Sequence, residues 1–510
     1  MVIEYSDFPS WIRFAHFINI IFITMLIRSG IEILSSLPKL YWKDDATPGT
    51  EWIKFTKKKF PLPVPSSSSF SSSIPSNKNT QATKDIRLWI SLEEEENFSP
   101  WISLPGHKNL GLGRHWHFFS AIFWGLNGII YYILLFTSNE WSRLIPTSID
   151  IIPQAIQTAI TYATFNFPPP GDPYNPLQQL MYFGVVFLLG PFMVMTGAAM
   201  SPSISARFPL YPKIFGGRQA ARSLHFLGNI AFILFIIIHV SMVMLEHFSE
   251  NIGQIILGYP VNFISAIGLF TLYLIVIAII HIWITRISLK NPRIVQNSLD
   301  IIVNNAKYLF FRKMVSKQRL NRSEISPFFR INGYPPDTKE YQDLYKNNFK
   351  GYKLKIEGLV ERSYEFSIPD LYNMRKQTQI TEHFCIQGWT AIGEWAGVPM
   401  QYILELCRPL PKVKYVVFYS YQYTDNTQYY EAVDLEIVKH PQTILAYEMN
   451  GKKLDIGHGA PLRLRIETQL GYKMVKWLKS IEFVENYKHI GMGQGGHRED
   501  HKYYSARAGI

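Results

Sequence analysis

Within the first 290 residues, five stretches are apolar almost without interruption: Trp11–Leu34, Trp116–Phe136, Leu177–Met200, Ser223–Leu245 and Val261–Ile287. Each is long enough, at about 1.5 Å per residue, to cross about 30 Å of hydrocarbon as a helix. A shorter apolar run, Ile151–Phe165, contains Pro153 and predicts an interfacial helix. From Ser326 onward the pattern changes. Short β-rich runs appear at YKLKIEGLV (352–360), KYVVFYSY (414–421), PLRLRIE (461–467) and KSIEFVE (479–485), with helical pieces at IPDLYNMR and VPMQYILELC. Gly, Pro and Asn turns separate them, with no βαβ repeat and no GxGxxG loop, which disfavours a Rossmann dehydrogenase. The expected architecture is a membrane α-helical bundle of about five spans (1–290), a basic linker (291–325) and a soluble α+β domain (326–510). In the linker, LDIIVNNAKYLFFRKMV has helical periodicity. It fits a helix lying on an anionic membrane surface or one packed on the following domain. The segment PVPSSSSFSSSIPSNKNTQ (63–81) is of low complexity and predicts a flexible loop.

The fourth span, RSLHFLGNIAFILFIIIHVSMVML, carries His225 and His239, 14 residues apart. That spacing puts the two rings on nearly one face, about 21 Å apart along the axis. Two stacked b-type haems need this arrangement, each iron taking one imidazole from this helix and a second from another. Ionisable residues inside a membrane are usually functional. His16 lies near the start of span 1, and His115 and His117 open span 2 in GRHWHFF. With alternating span direction, His16 and His239 fall toward one side (side A), and His117 and His225 toward the other (side B). Two same-depth pairs result. His115 is the rival to His117 as ligand; two residues earlier, it faces a different direction and is expected at the interface. Trp11, Trp116, Trp141 and Trp283 lie near span ends, where indoles prefer the interface.

Charge sets the expected orientation. Lys and Arg number 51 against 39 Asp and Glu, a formal net charge of +12. These cations do not form a nucleic-acid patch; they cluster in loops beside the spans. The side-B loops hold Lys39, Lys43, Lys54, Lys57, Lys58, Lys59, Lys84, Lys108 and Arg114, then Arg207, Lys213, Arg218 and Arg222. Side A carries little beyond Arg143, so side B is expected to be cytoplasmic, with the N-terminus outside, in a cell inner membrane. No cleavable signal or twin-Arg motif is evident, and span 1 reads as a retained anchor. The two cysteines, Cys385 and Cys407, make neither a disulfide framework nor a CxxC site.

Spans 1 to 4 resemble the di-haem cytochrome b subunits of nickel–iron hydrogenase, formate dehydrogenase and thiosulfate reductase. The likeness rests on His16, on WHFF (116–119) and on the His225/His239 spacing. It implies two b haems, held by His16 with His239 and by His117 with His225, and electron exchange between the quinone pool and a catalytic partner. His247 and His281 fit neither pair; His281 reads as a hydrogen-bonded bundle residue.

The soluble half resembles the sulfite oxidase family's molybdopterin domain, through EHFCIQGWTAIGEWAGVPM (382–400), FFRINGYPP (328–336), HGAPLRL (458–464) and GYKMVKWL (471–478), in the family's order. The resemblance implies Cys385 as the molybdenum ligand and catalytic centre. Arg463, Lys476 and the N–H groups of Met474 and Val475 would then hold the pterin phosphate, with His458 and Asn332 near the pterin and Ser420 reaching the same pocket. A soft thiolate suits a molybdenum already bound by dithiolene sulfurs, and a phosphate needs cationic and backbone donors. Cys407 falls in an amphipathic helix and reads as core. Sulfite oxidases carry arginines just after the cysteine, whereas Cys-Ile-Gln-Gly-Trp stands here, closer to the bacterial methionine-sulfoxide reductase branch. The expected function is reduction of an S-oxide or N-oxide with quinol electrons. The alternatives are oxidation of a sulfur compound feeding quinone, and a haem protein whose C-terminal half only docks a partner. The run Glu93–Glu96 reads as a solvated face, and the Gly- and His-rich tail after Lys488 as solvated or docking sequence, rather than as metal sites.

Overall fold

The computed structural model describes residues 8–59, 89–168, 174–311, 320–424, 426–506 and 508–510. The low-complexity stretch 63–81, Lys84 and residues 312–319 of the linker lie outside the described residues. Five helices are long and apolar enough to span a membrane: Ser10–Ser36, Leu110–Thr137, Pro176–Met200, Arg218–Leu245 and Phe263–Lys290, numbered here as spans 1 to 5. Most run further into polar flanks than the apolar pattern does. Asparagine side chains cap spans 2, 3 and 5: Asn109 accepts from the Leu112 N–H, Asn175 forms a capping box with Gln178, and Asn262 accepts from the Ser265 N–H. Pro153 does not break the short helix Ile151–Ala163; it sits in its first turn, where its missing N–H has no intrahelical partner to lose. Within span 3, Gly184–Leu189 is a π-turn and the Gly190 N–H reaches the Val185 carbonyl. Pro191 follows directly, and a proline ring crowds the carbonyl four residues back.

Trp116 is not an interfacial indole. It is buried among Met25, Leu112, Ile284, Val295 and Leu299, and its Nε1–H donates to Ser288 Oγ at 2.8 Å. Val295 and Leu299 belong to the linker helix Pro292–Phe311, which therefore packs on protein. From its first turn Arg293 donates to the carbonyls of Glu499 and Asp500, and Gln296 donates to that of Tyr504. The linker helix thus ties the C-terminal tail to the membrane bundle.

The soluble domain stacks two five-stranded sheets around one core. In the first, strands Lys452–Lys453, Thr443–Met449, Thr390–Pro399 and Gln377–Phe384 run in that order, with Arg463–Ile466 also pairing with Thr443–Met449. In the second the order is Tyr364–Ser367, Lys353–Gly358, Leu478–Val484, Tyr415–Thr424 and Thr427–Asp434, with only the Lys353–Gly358/Leu478–Val484 pair parallel. Val398, Leu445 and Leu464 from one sheet meet Ile356, Phe418 and Ile481 from the other, and Cys407 lies in this core. The domain sits on the N-terminal end of span 4. Gln219 Nε2 donates to the Gly388 carbonyl at 2.8 Å, and the Arg218 guanidinium lies 4.7 Å from the Phe384 ring. Arg222 ties the same end to the carbonyls of Leu37 and Lys39.

The run Glu93–Glu96, expected as a solvated face, and the tail, expected as solvated or docking sequence, are both built into the fold. Glu94 is 1% exposed, with Lys39 Nζ at 3.0 Å and Arg330 Nε at 3.4 Å. In the tail, helix His497–Lys502 is anchored by Glu499, which pairs with buried Lys473, and by Asp500, whose carboxylate accepts from Tyr430 OH at 2.7 Å. Lys473 also pairs with Glu431 at 2.9 Å. Buried charges persist when paired and hydrogen-bonded, and neither pairing is visible from local sequence.

Candidate functional site

The four span histidines meet as two pairs. Ring centroids of His16 and His239 are 6.4 Å apart, and those of His117 and His225 are also 6.4 Å apart. One metal ion bound at about 2 Å by two opposed imidazole nitrogens puts the ring centroids roughly 6 Å apart, so each pair has the span for one iron. Neighbouring hydroxyls fix the rings through Nδ1: Ser29 Oγ at 3.0 Å from His117, Thr196 Oγ1 at 3.0 Å from His225, and Tyr182 OH at 3.4 Å from His239. That leaves Nε2 of these three rings to face the gap, the usual outer-sphere device for orienting a ligating imidazole. His16 Nδ1 is buried without a partner among the described residues. His115 is buried rather than interfacial, with Asp300 Oδ1 2.8 Å from its Nε2 and the Gly111 carbonyl 2.6 Å from its Nδ1. It therefore faces the linker helix, away from His225. His281 lies between Thr24 and Arg28 as a hydrogen-bonded bundle residue.

In the soluble domain, strand Gln377–Phe384 ends at Cys385, and residues 385–388 form a tight turn in which the Gly388 N–H donates to the Cys385 carbonyl at 3.0 Å. Gly388 has φ of +105°, which only glycine adopts without strain. The turn places Cys385 in the lining of a cleft. Asn332 Nδ2 lies 3.4 Å from Sγ, and Gln387 is held between the Trp389 indole and Glu95. Asn332, His458, Arg463, Met474 and Lys476 line the same cleft. Ser420 and Val475 do not. The Ser420 hydroxyl donates to the Lys476 carbonyl at 2.7 Å and so shapes the loop behind the cleft, while the Val475 side chain is core. The Met474 N–H is already used by the Gly471 carbonyl.

Among the lining cations, Lys476 Nζ donates to the Gly457 carbonyl and Arg463 to the His458 carbonyl, while Arg463 Nε is buried with no partner among the described residues. Burial, and then the repulsion of Arg465 on Arg463 and of Arg463 on Lys476, holds both well below their ordinary pKa values. His458 Nδ1 is 2.8 Å from Asp455. Burial alone would raise the Asp455 carboxyl, yet His458 and the backbone draw it down to about 2. The lining also holds Leu92, Tyr504 and Arg498, brought in by the loop between spans 1 and 2 and by the tail. Burial pushes the Cys385 thiol up to about 11. A metal cation is what turns such a buried thiol into a thiolate ligand.

A family model for prokaryotic cytochrome b561 matches residues 7–258, and one for the oxidoreductase molybdopterin-binding domain matches 342–490. The chain is a cytochrome b561 module joined to a molybdopterin-binding oxidoreductase domain. Among relatives, YedZ1 of Azospira oryzae, provisionally named as a protein-methionine-sulfoxide reductase subunit, is 32% identical over 181 residues, covering 36% of this chain and 63% of that protein. The protein-methionine-sulfoxide reductase catalytic subunit MsrP of Campylobacter jejuni is 26% identical over 204 residues, 37% of this chain and 69% of that protein. The chain thus spans about two thirds of the length of either relative. A solved structure, the sulfane dehydrogenase SoxCD from Paracoccus pantotrophus, aligns over 29% of this chain and 40% of that one at 24% identity, with a TM-score of 0.25.

The residues of this molybdopterin domain fit its cofactor class. A buried thiol lies in the cleft lining, and so do buried cations with an unpaired Arg463 Nε, which a phosphate would satisfy. Sequence reasoning missed Arg330, Glu94, Glu95, Gln387, Arg498 and Tyr504. Of these only Arg330 and Gln387 lie in motifs that resemble the family. The others come from the inter-span loop and the tail, and no local signal marks them.

Proposed function

We propose that the chain is a membrane-bound molybdenum oxidoreductase that moves electrons between the quinone pool and a small oxo-substrate, working as the reductase of an S-oxide or N-oxide. The observation that carries this reading is the seating of the Cys385–Gly388 turn on span 4. Gln219, which donates to the Gly388 carbonyl, lies six residues before His225 on the same helix. Ser36 of span 1 also touches the turn, through the Gln387 carbonyl at 3.3 Å. A thiol-bearing cleft joined by hydrogen bonds to a haem-pair helix is the expected layout for intramolecular electron delivery.

In this reading His16 with His239 hold one haem b, and His117 with His225 hold the one adjacent to the cleft. Side B, with the catalytic domain, faces the cytoplasm of a cell with a quinone-bearing inner membrane. Cys385 is the molybdenum ligand, Arg463 and Lys476 hold the pterin phosphate, and Asn332 and His458 border the pterin. The bound metals supply one-electron carriage along the haems and two-electron oxygen-atom transfer in the cleft. The protein keeps Cys385 dry, fixes its turn through Gln219 and Gln387, and offers cations where the cofactor's charge would lie. In the overall balance one sulfoxide and one quinol give one sulfide, one water and one quinone. The relatives named for protein-methionine-sulfoxide reduction favour this direction over sulfur oxidation. The test is turnover by the purified full-length protein with a reduced quinone analogue and dimethyl or methyl aryl sulfoxide. Sulfide formation with reoxidation of the haems is expected. Haems that are reduced by quinol but not reoxidised by any sulfoxide or N-oxide would overturn the reading.

A further inference from the structure

The helix His497–Lys502 holds an arginine in the cleft. Arg498 lines it together with Tyr504. Its position is fixed by its neighbours in sequence, which face the other way. Glu499 pairs with buried Lys473, and Asp500 accepts from Tyr430 OH and from the N–H groups of Met492 and Gln494. A six-residue helix at the end of a chain would ordinarily fray; here a buried ion pair and three hydrogen bonds lock it. No hydrogen bond or ion pair to any described residue occupies the Arg498 guanidinium. The nearby carboxylates Glu431 and Glu95 attract it through space, but their hydrogen bonds go to Lys473 and to the Gln387 amide at 2.9 Å. A guanidinium carries five N–H donors in a fixed fork suited to a carboxylate or another planar oxyanion. Unused donors carried into a half-buried cleft by an anchored helix are what a charged ligand group would satisfy.

We propose that Arg498 forms a substrate subsite for a carboxylate or sulfonate group, so that the favoured substrate is an anionic S-oxide rather than a neutral one. This rests on the S-oxide reading given above. It also revises what the Cys-Ile-Gln-Gly-Trp motif implies by itself, because the cation absent beside the cysteine in sequence is supplied in space by the tail. The role is one of binding and positioning at a distance from the oxo group.

The experiment uses the full-length holoprotein in detergent with two matched substrates, methylsulfinylacetate and dimethyl sulfoxide, and with methanesulfonate as an unreactive anion. The expected result is a ratio of kcat/KM for charged over neutral substrate that falls about tenfold in R498Q and is partly restored in R498K. Methanesulfonate should raise the Tm of the wild-type protein but not of R498Q, and should compete with methylsulfinylacetate. An unchanged haem spectrum in R498Q shows that the variant is folded; if it does not fold, the wild-type competition and Tm shift together with R498K decide. Equal ratios in wild type and R498Q, or a wild-type Tm indifferent to methanesulfonate, would overturn the subsite while leaving S-oxide reduction standing. An anion-dependent Tm shift lost in R498Q, with neither sulfoxide turned over, would support the subsite and overturn the S-oxide reading.

Discussion

Cys385 is surrounded by groups that cannot ionise it, and that is how a metal ligand kept for a bound metal should look. Burial raises its thiol to about 11, and Asn332 only partly offsets this. The variant C385A should therefore abolish substrate turnover while leaving the reduced-minus-oxidised haem spectrum at wild-type intensity; full turnover in C385A would return the soluble half to a docking role. The paired histidines give a second residue-level prediction. H117A should lose one of two haem signals and keep the other, whereas H115A should keep both, because His115 is bound to Asp300 and Gly111. Pyridine haemochrome quantification per chain checks both. These residues were legible in the sequence because helix periodicity turns spacing into direction, and a motif turns order into chemistry. Arg498, Glu94 and Glu95 were not legible, since their neighbours in space lie far away along the chain.

At the scale of elements, the loop between spans 1 and 2 works as part of the catalytic cleft. Ser91 bonds Asn332, Glu95 holds Gln387, and Glu94 holds Arg330. Burial alone would raise the Glu94 carboxyl, but Arg330 and Lys39 bring it below its ordinary value. A depressed folded-state pKa contributes stability that is present above the unfolded carboxylate value of about 4.3 and is lost as pH falls through the folded value. The Tm of the wild-type protein should accordingly drop on acidification through that range. E94Q should lose the Glu94 part of this slope and be less stable at neutral pH by roughly 3–5 kcal/mol, because Arg330 and Lys39 are left buried and unpaired. A neutral-pH Tm unchanged in E94Q would show that the loop does not carry the cleft. The five spans and four of the strands were readable from periodicity alone. Strand Thr390–Pro399 was not: Gly393, Gly397 and Pro399 punctuate it like a turn, and only pairing on both sides with Gln377–Phe384 and Thr443–Met449 makes it extended. The tail was misread for a related reason, since its acidic residues are buried only because Lys473 and Tyr430 meet them.

For the molecule as a whole, the two modules are not loosely tethered. Span 4 contacts the Cys385 turn, the linker helix grips the tail, and the tail returns to the cleft. Disturbing the seam should uncouple the halves without destroying either. Q219L should slow reoxidation of quinol-reduced haem by substrate while leaving turnover with an artificial donor to the soluble domain in place; equal loss of both would mean that Gln219 serves folding alone. The central claim is that each chain carries two haems above one molybdenum. Metal analysis of detergent-purified protein from a host that makes the cofactor, combined with a reduced-minus-oxidised spectrum, tests it most directly. Two iron atoms as b haem and one molybdenum per chain are expected. Two haems without molybdenum in the wild-type protein would contradict it.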